Sequence, residues 1–374
     1  MRKILFILYF LFPVSLYSQT IIDERIKLTV SPSVVQSEMN IEIIKKLELF
    51  LQTKNENANS NRYWHKNDFE TFVYPYREIF WIESGKLGTH FYQPTLMEII
   101  ETDNPFKKLV KLAYIGHNTT TKENLVRIIY NIVANKTDGE IFFSSYTDFA
   151  TSSWKRYSKG SIDYVISPNK KLNKKEIKSQ LEDVEKLVSF FSTDQISITY
   201  YSCIDAIELF NVKGFDYHSS MYLSKNGGLA EDGSIVYSAN NSEIYTHEIA
   251  HVYTRTLFPF IPTIIDEGIA TFFGGSGFND YKWHKNELKK YIEKNTLEYS
   301  YYIDKPYERF YINNETPVPY LIGALICEYA ITYLGKEMFV ESLRQIDKET
   351  SVWELMNKWG LTKENINTEL NKML

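Results

Sequence analysis

Cysteine is scarce in this chain: Cys203 and Cys327 are the only two in 374 residues. Two thiols in a chain of that length do not make a disulfide framework. Buried free thiols are the expectation, with a single Cys203–Cys327 pair as the alternative. Long hydrophobic runs are also missing beyond the N-terminus. The stretch Tyr320–Gly335 is apolar, but it is short and interrupted by Glu328, so it reads as a buried core helix and not as a membrane span. Positive charge is not in excess, with 42 Lys and Arg against 47 Asp and Glu and a net charge of −5. No nucleic-acid partner is therefore expected. The Lys-rich stretch 170–175 reads as the solvated start of a helix. Internal repeats and low-complexity linkers are absent.

Hydrophobic residues make up 44% of the chain, enough for one large or two ordinary domains. The N-terminus has the form of a secretory leader. Arg2 and Lys3 precede the apolar run Ile4–Leu16, and Leu16-Tyr17-Ser18 before Gln19 is an acceptable cleavage site. A signal peptide is expected at 1–18, hence export to the periplasm or beyond and no stable membrane span after its removal. An uncleaved anchor helix is the alternative. No Cys follows the site, so no lipid anchor is expected.

Two units are expected after the leader. Residues 19–159 read as a small α+β domain. Its signals are an amphipathic helix at Ile41–Leu51, strands at Asn124–Ala134 and Glu140–Ser145, and a turn at Asp138–Gly139. Its outline resembles the NTF2-like or cystatin-like shape. The aromatic group Tyr63, Trp64, Phe69, Phe72, Tyr74, Tyr76, Phe80 and Trp81 reads as core, with a binding platform as the alternative.

Residues 160–374 read as the second unit, with the boundary at Lys159–Gly160. It opens as α/β, with strands at Ser161–Ser167, Ile196–Cys203, Met221–Leu223 and Ser234–Ser238. A helix capped by Asn173 with Glu176 carries Ile177, Leu181, Val184, Val188 and Phe191 at helical spacing. Near Asn226–Ala230 either a glycine turn or an exposed edge strand is expected, and an edge can take an extended peptide as an added strand. After Glu243 the chain turns helical, with further helices at Lys336–Ile346, Val352–Trp359 and Thr362–Met373. The fold class expected is α+β: a mixed sheet with an active-site helix, then a helical C-terminal subdomain, preceded by the smaller α+β domain.

The most informative segment is His247-Glu248-Ile249-Ala250-His251, in a chain with only seven histidines. Two histidines four apart on a helix differ by about 40° of rotation, so both imidazoles leave one face. That is the bite one Zn²⁺ ion needs from two neutral ligands. Glu248 stands next to the first ligand, within reach of a water on the metal. An amphipathic helix with two unmetallated histidines is the bland alternative. The metzincin pattern would need Gly at 254 and His at 257, and the chain has Thr254 and Leu257. Pro259 and Pro262 end the first helix, and a second can run from about Ile264 to Gly274–Gly275. On it Asp266 and Glu267 are both candidate third ligands. Their side chains diverge by about 100°, so only one can face the metal. Gly268 and the small Ala270 would let the two helices approach closely.

His-Glu-x-x-His followed by Glu267-Gly268-x-Ala270 resembles the gluzincin metallopeptidases, which include the thermolysin and aminopeptidase branches. Val318-Pro319-Tyr320-Leu321-Ile322-Gly323 is similar to the aminopeptidase-branch segment whose tyrosine stabilises the tetrahedral intermediate. The resemblance covers about residues 160–374. It implies Glu267 as the third ligand, Tyr320 as oxyanion donor and Glu248 as general base. The gap from His251 to Glu267 is shorter than in the aminopeptidases, and their Gly-x-Met-x-Asn motif is absent.

The activity expected is therefore secreted, zinc-dependent hydrolysis of a peptide or protein substrate, as an endopeptidase. One alternative is an aminopeptidase-like exopeptidase, which needs an acidic anchor such as Glu243 or Glu231 facing the cleft. The other is a catalytically idle zinc protein that binds through its N-terminal domain.

Overall fold

The structure, a computed structural model, describes residues 22–374. The leader expected at 1–18 lies outside the described residues. The first unit contains strand β1 (Thr29–Val30), helices α1 (Glu38–Thr53) and α2 (Lys66–Phe72), and strands β2 (Tyr92–Glu101), β3 (Lys107–His117), β4 (Asn124–Thr137) and β5 (Glu140–Ser144). Strands β2 to β5 pair antiparallel in sequence order, and β1 joins β2 in parallel. Ser37 caps α1 by accepting from the Asn40 N–H, and the helix buries Ile43, Leu47, Phe50 and Leu51. These side chains share one core with Leu96, Leu112 and Ile132 of the sheet. The aromatic group is mostly part of it. Tyr63, Trp64, Phe72 and Tyr76 are buried, while Tyr74 and Trp81 stay exposed.

Helix α3 (Tyr146–Ala150) leads into the second sheet. Its strands are β6 (Lys155–Lys159), β7 (Ile162–Ile166), β8 (Ile198–Ser202), β10 (Gly228–Glu231) and β11 (Ile235–Ser238), in the order β10-β11-β8-β7-β6. The three central strands run parallel and the two outer ones antiparallel. Helix α4 (Lys174–Phe191) makes the crossover from β7 to β8 that a parallel pair requires. Asn173 caps α4, as its sequence suggests, by accepting from the Lys175 and Glu176 N–H groups.

Two features depart from the reading of the sequence. No strand forms at Met221–Leu223. After α5 (Ala206–Val212), strand β9 (Phe215–His218) leaves the second sheet and pairs with β4 of the first. Phe215 explains the choice: it is buried in the first core with its ring 4.9 Å from that of Tyr130. The turn Gly160–Ser161, where the chain was expected to divide, lies inside the β6–β7 hairpin. Both strands of that hairpin belong to the second sheet.

The remainder is mostly helical: α6 (Thr246–Leu257), α7 (Thr263–Gly274), α8 (Tyr281–Ile292), α9 (Tyr299–Asp304), α10 (Val318–Leu334), α11 (Lys336–Arg344), α12 (Val352–Lys358) and α13 (Ile366–Met373), with one short antiparallel hairpin of β12 (Tyr311–Ile312) and β13 (Thr316–Pro317) before α10. The architecture is α+β with mixed sheets and a helical C-terminal part. Helix α10 is buried along most of its length. No single described helix is long and apolar enough to cross a membrane, and the apolar pair α10–α11 bends by 117°. Cys203 and Cys327 are buried free thiols.

Candidate metal centre

Helix α6 has no side-chain cap of its own, and its neighbour α4 supplies the missing partners. Gln180 accepts from the Tyr245 N–H at 2.6 Å and donates to the Thr246 hydroxyl at 3.3 Å. The Thr246 hydroxyl in turn donates to Asp183 at 2.6 Å. These bonds satisfy donors at a helix start that is otherwise buried. Gln180 is fully buried for this reason, a polar side chain on the same helix face as Ile177, Val184, Leu187 and Phe191.

Helix α7 follows after Pro259 and Pro262 and brings Glu267 to α6. Two glycines set its position. A Cβ on Gly274 would overlap the backbone of His247, so Gly274 permits the contact with α6. A Cβ on Gly268 would overlap the carbonyl of Gly323 on α10. Gly268 was expected to serve the α6–α7 approach; it serves α7–α10 instead.

One donor atom from each of His247, His251 and Glu267 lies within 4.8 Å of the others. Oε2 of Glu267 is 3.4 Å from Nε2 of His247 and 3.4 Å from Nε2 of His251. This oxygen is buried and has no hydrogen-bond partner of good geometry. Burial alone would raise the Glu267 pKa. The two imidazoles outweigh it and hold the carboxyl well below the usual carboxylate range. An ionised oxygen between two buried ring nitrogens is a site that can hold a metal ion.

Both rings are oriented from behind. Nδ1 of His247 lies 2.8 Å from the Gly275 carbonyl, a contact that fixes the ring with Nε2 turned toward Glu267. Gly275 has φ +70°, the left-handed region that turns this carbonyl inward. His284 holds the same loop from below, contacting the Ser276 carbonyl at 2.9 Å and the Thr316 hydroxyl at 3.0 Å. Nδ1 of His251 lies 3.0 Å from Oδ1 of Asp266, off the line of an ideal hydrogen bond. Burial disfavours the imidazolium of His251, but Asp266 and Glu267 outweigh this and push its pKa up to about 10 in the metal-free protein.

Asp266 is therefore no rival ligand. It faces away from the three-donor cluster, accepts from the Thr254 hydroxyl, and pairs with Arg255 Nε at 2.9 Å. Arg255 extends this chain by donating to the Ala230 carbonyl on β10 at 2.9 Å. Strand β10 is the sheet edge beside the centre, so one polar chain joins His251 to that edge.

Glu248 is buried on α6 next to His247. The ring of Tyr320, at the start of α10, is stacked on that of His247 with centroids 6.0 Å apart. Burial, together with the charges of Glu267 and Glu248, raises the Tyr320 pKa, so its hydroxyl keeps its proton at neutral pH. Tyr245 also lies near, 6.3 Å from the His247 ring between centroids. A Cβ on Gly228 would overlap the Tyr245 ring, so β10 carries glycine where it crosses this tyrosine.

Two acids considered as anchors for a substrate amine are committed elsewhere. Glu243 is fully buried, 2.9 Å from Lys170 Nζ. Glu231 on β10 pairs with Lys213, which also meets Glu78 of the first unit at 2.6 Å. Burial disfavours the Lys213 charge, but these two carboxylates more than offset that and raise its pKa. A second bridge, Arg77 to Asp232 at 3.0 Å, joins the first unit to the same hairpin. A cleft of about 660 Å³ opens beside Tyr320.

The structure thus brings His247, His251 and Glu267 together, with Tyr320 stacked on His247 and Glu248 beside His247 on α6. Of the supporting residues, Gln180, Asp183 and Arg255 carry no signal in the sequence, and Gly275 reads there only as a helix end. Each acts through a backbone group or a charge that becomes adjacent only after folding. No protein-family model and no curated protein sequence matches this chain.

Proposed function

We propose that this protein is an exported zinc-dependent peptidase. In this reading His247, His251 and Glu267 are the metal ligands, Glu248 is the general base and Tyr320 is the oxyanion donor. The observation that carries it is the orphaned Oε2 of Glu267, held 3.4 Å from both ligand nitrogens. A buried unpaired oxygen costs about 1–3 kcal/mol, more when charged, and a cation removes that cost. Two imidazoles and one carboxylate are the donor set of hydrolytic zinc sites. Zinc, when bound there, polarises the substrate carbonyl and acidifies a water.

The chain's own residues do the rest. Glu248 takes the proton of the attacking water and returns it to the departing amine. Tyr320 donates its O–H to the carbonyl oxygen as negative charge develops there. Asp266 and the Gly275 carbonyl keep the two imidazoles in register. Strand β10 is the outer strand of its sheet, where an extended peptide can add beside the Arg255-held Ala230 carbonyl.

An endopeptidase fits better than an exopeptidase, because Glu243 and Glu231 are both paired with lysines. The open cleft beside Tyr320 favours an enzyme over an idle zinc protein. Export rests on the leader-like residues 1–18. The test is the Glu248→Gln variant. It is expected to bind one zinc per chain, measured by elemental analysis, while peptide hydrolysis falls by about 10²–10⁴. Undiminished hydrolysis in that variant sinks the mechanism.

A further inference from the structure

We propose that the cleft beside Tyr320 is a specificity subsite for a large aromatic side chain of the substrate. The inference rests on the peptidase reading of the metal centre. The cleft measures about 660 Å³, within the range of roughly 300–1,000 Å³ that ligand clefts occupy. Tyr320 belongs both to its wall and to the metal centre, being stacked on His247. A peptide whose carbonyl meets the Tyr320 hydroxyl would have a neighbouring side chain within reach of the cleft.

The wall is built for an apolar ring. Leu223, Tyr307 and Tyr311 line it and are 61%, 81% and 51% exposed. Large apolar side chains gathered at solvent in one concavity mark a surface that a partner covers. Phe310 forms a rigid part of the same wall, stacked from behind on Tyr302 at 5.7 Å and edge-on to Tyr291 at 6.1 Å. Pro317 and Pro319 stiffen the backbone on the side of Tyr320. Rings and prolines so arranged offer an aromatic guest offset and edge contacts, worth about 0.5–1.5 kcal/mol each beyond the area they bury. Glu308 and Arg309 bring opposite charges to the same cleft, so the wall has no net charge with which to select an ionic side chain. Sugars also stack on aromatic rings, but the continuity with Tyr320 favours a peptide.

The experiment gives the zinc-loaded protein a mixed library of internally quenched peptides. Bonds flanked by Phe, Tyr or Trp are expected to show kcat/KM at least about tenfold above matched Ala peptides. That ratio should fall below about threefold in Tyr311→Ala and Tyr307→Ala, whose exposed side chains are not needed for folding. Cleavage without an aromatic preference, or a preference that both variants retain, overturns the subsite. If nothing is cleaved, binding to zinc-loaded Glu248→Gln decides. The probes are an alanine pentapeptide with one central phenylalanine, the all-alanine pentapeptide and cellohexaose. Phenylalanine-selective binding that Tyr311→Ala abolishes keeps the subsite and sinks the peptidase reading. Equal binding of the two peptides, no binding, or preference for the sugar overturns the subsite.

Discussion

Oδ1 of Asp266 lies 3.0 Å from Nδ1 of His251, and the same carboxylate is held by the Arg255 guanidinium at 2.9 Å. A carboxylate behind a ligand imidazole fixes its tautomer and raises its basicity. Asp266→Asn keeps the shape and removes the charge. Zinc affinity, measured by competition with a chromophoric chelator, is expected to fall about 10–100-fold. Unchanged affinity would show that Asp266 serves only Arg255 and Thr254.

Tyr320→Phe removes one hydroxyl and leaves the ring stacked on His247. Turnover is expected to drop by about 10²–10³, the usual loss for one oxyanion donor. Zinc stoichiometry and the unfolding midpoint should stay where they were. A fall in zinc content along with activity would make Tyr320 a packing residue.

Gly268→Ala forces a methyl into the Gly323 carbonyl where α7 crosses α10. Overpacking of this kind costs about 1–3 kcal/mol, and more where backbone must move. The urea midpoint of the metal-free protein should fall accordingly. Gly85→Ala is the control, because its new methyl would meet only the Tyr92 ring at 3.6 Å. That variant should stay within about 0.5 kcal/mol of the parent.

Asp68 makes stability depend on pH. Burial pushes its carboxyl up to about 6, against hydrogen bonds from the Ser145 N–H at 2.6 Å and the Trp64 indole at 2.9 Å. The folded protein therefore holds this proton more tightly than the unfolded chain does. Between about pH 4 and pH 6 the native state binds more protons, so the Asp68 contribution weakens as pH rises through that window. Asp68→Asn can still accept both bonds through its single amide oxygen. It is expected to exceed the parent in stability by about 1–3 kcal/mol at pH 8 and to match it at pH 3.5. Urea titrations at the two pH values are the measurement, and an equal gap at both would rule out ionisation of Asp68 as the cause.

The sequence was most legible where chemistry and periodicity coincide. The spacing of His247 and His251 and the prolines after α6 place two ligands and the turn that returns Glu267, because helix rotation and proline sterics act locally. The divergence of Asp266 from Glu267 is equally local, and one faces the cluster while the other faces Thr254 and Arg255. The partner of Gly268 was not legible, because a close approach announces a glycine without saying which helix arrives. The strand expected at Met221–Leu223 does not form, and β9 lies at Phe215–His218, for a similar reason. Phe215 packs against Tyr130, whose position depends on a sheet formed some eighty residues earlier in the chain. Gln180 escaped notice because its burial is set by the backbone and hydroxyl groups at the start of α6.

Strand β9 and Lys213 together make the two halves of this chain one heritable unit. Lys213 precedes a strand of the first sheet and is bonded to Glu78, in a turn of the first unit, and to Glu231 on the edge strand beside the metal centre. A fragment beginning at residue 160 would keep β9 with no sheet to join and Lys213 with only one of its two acids. Such a fragment is therefore expected to be less stable than the whole chain.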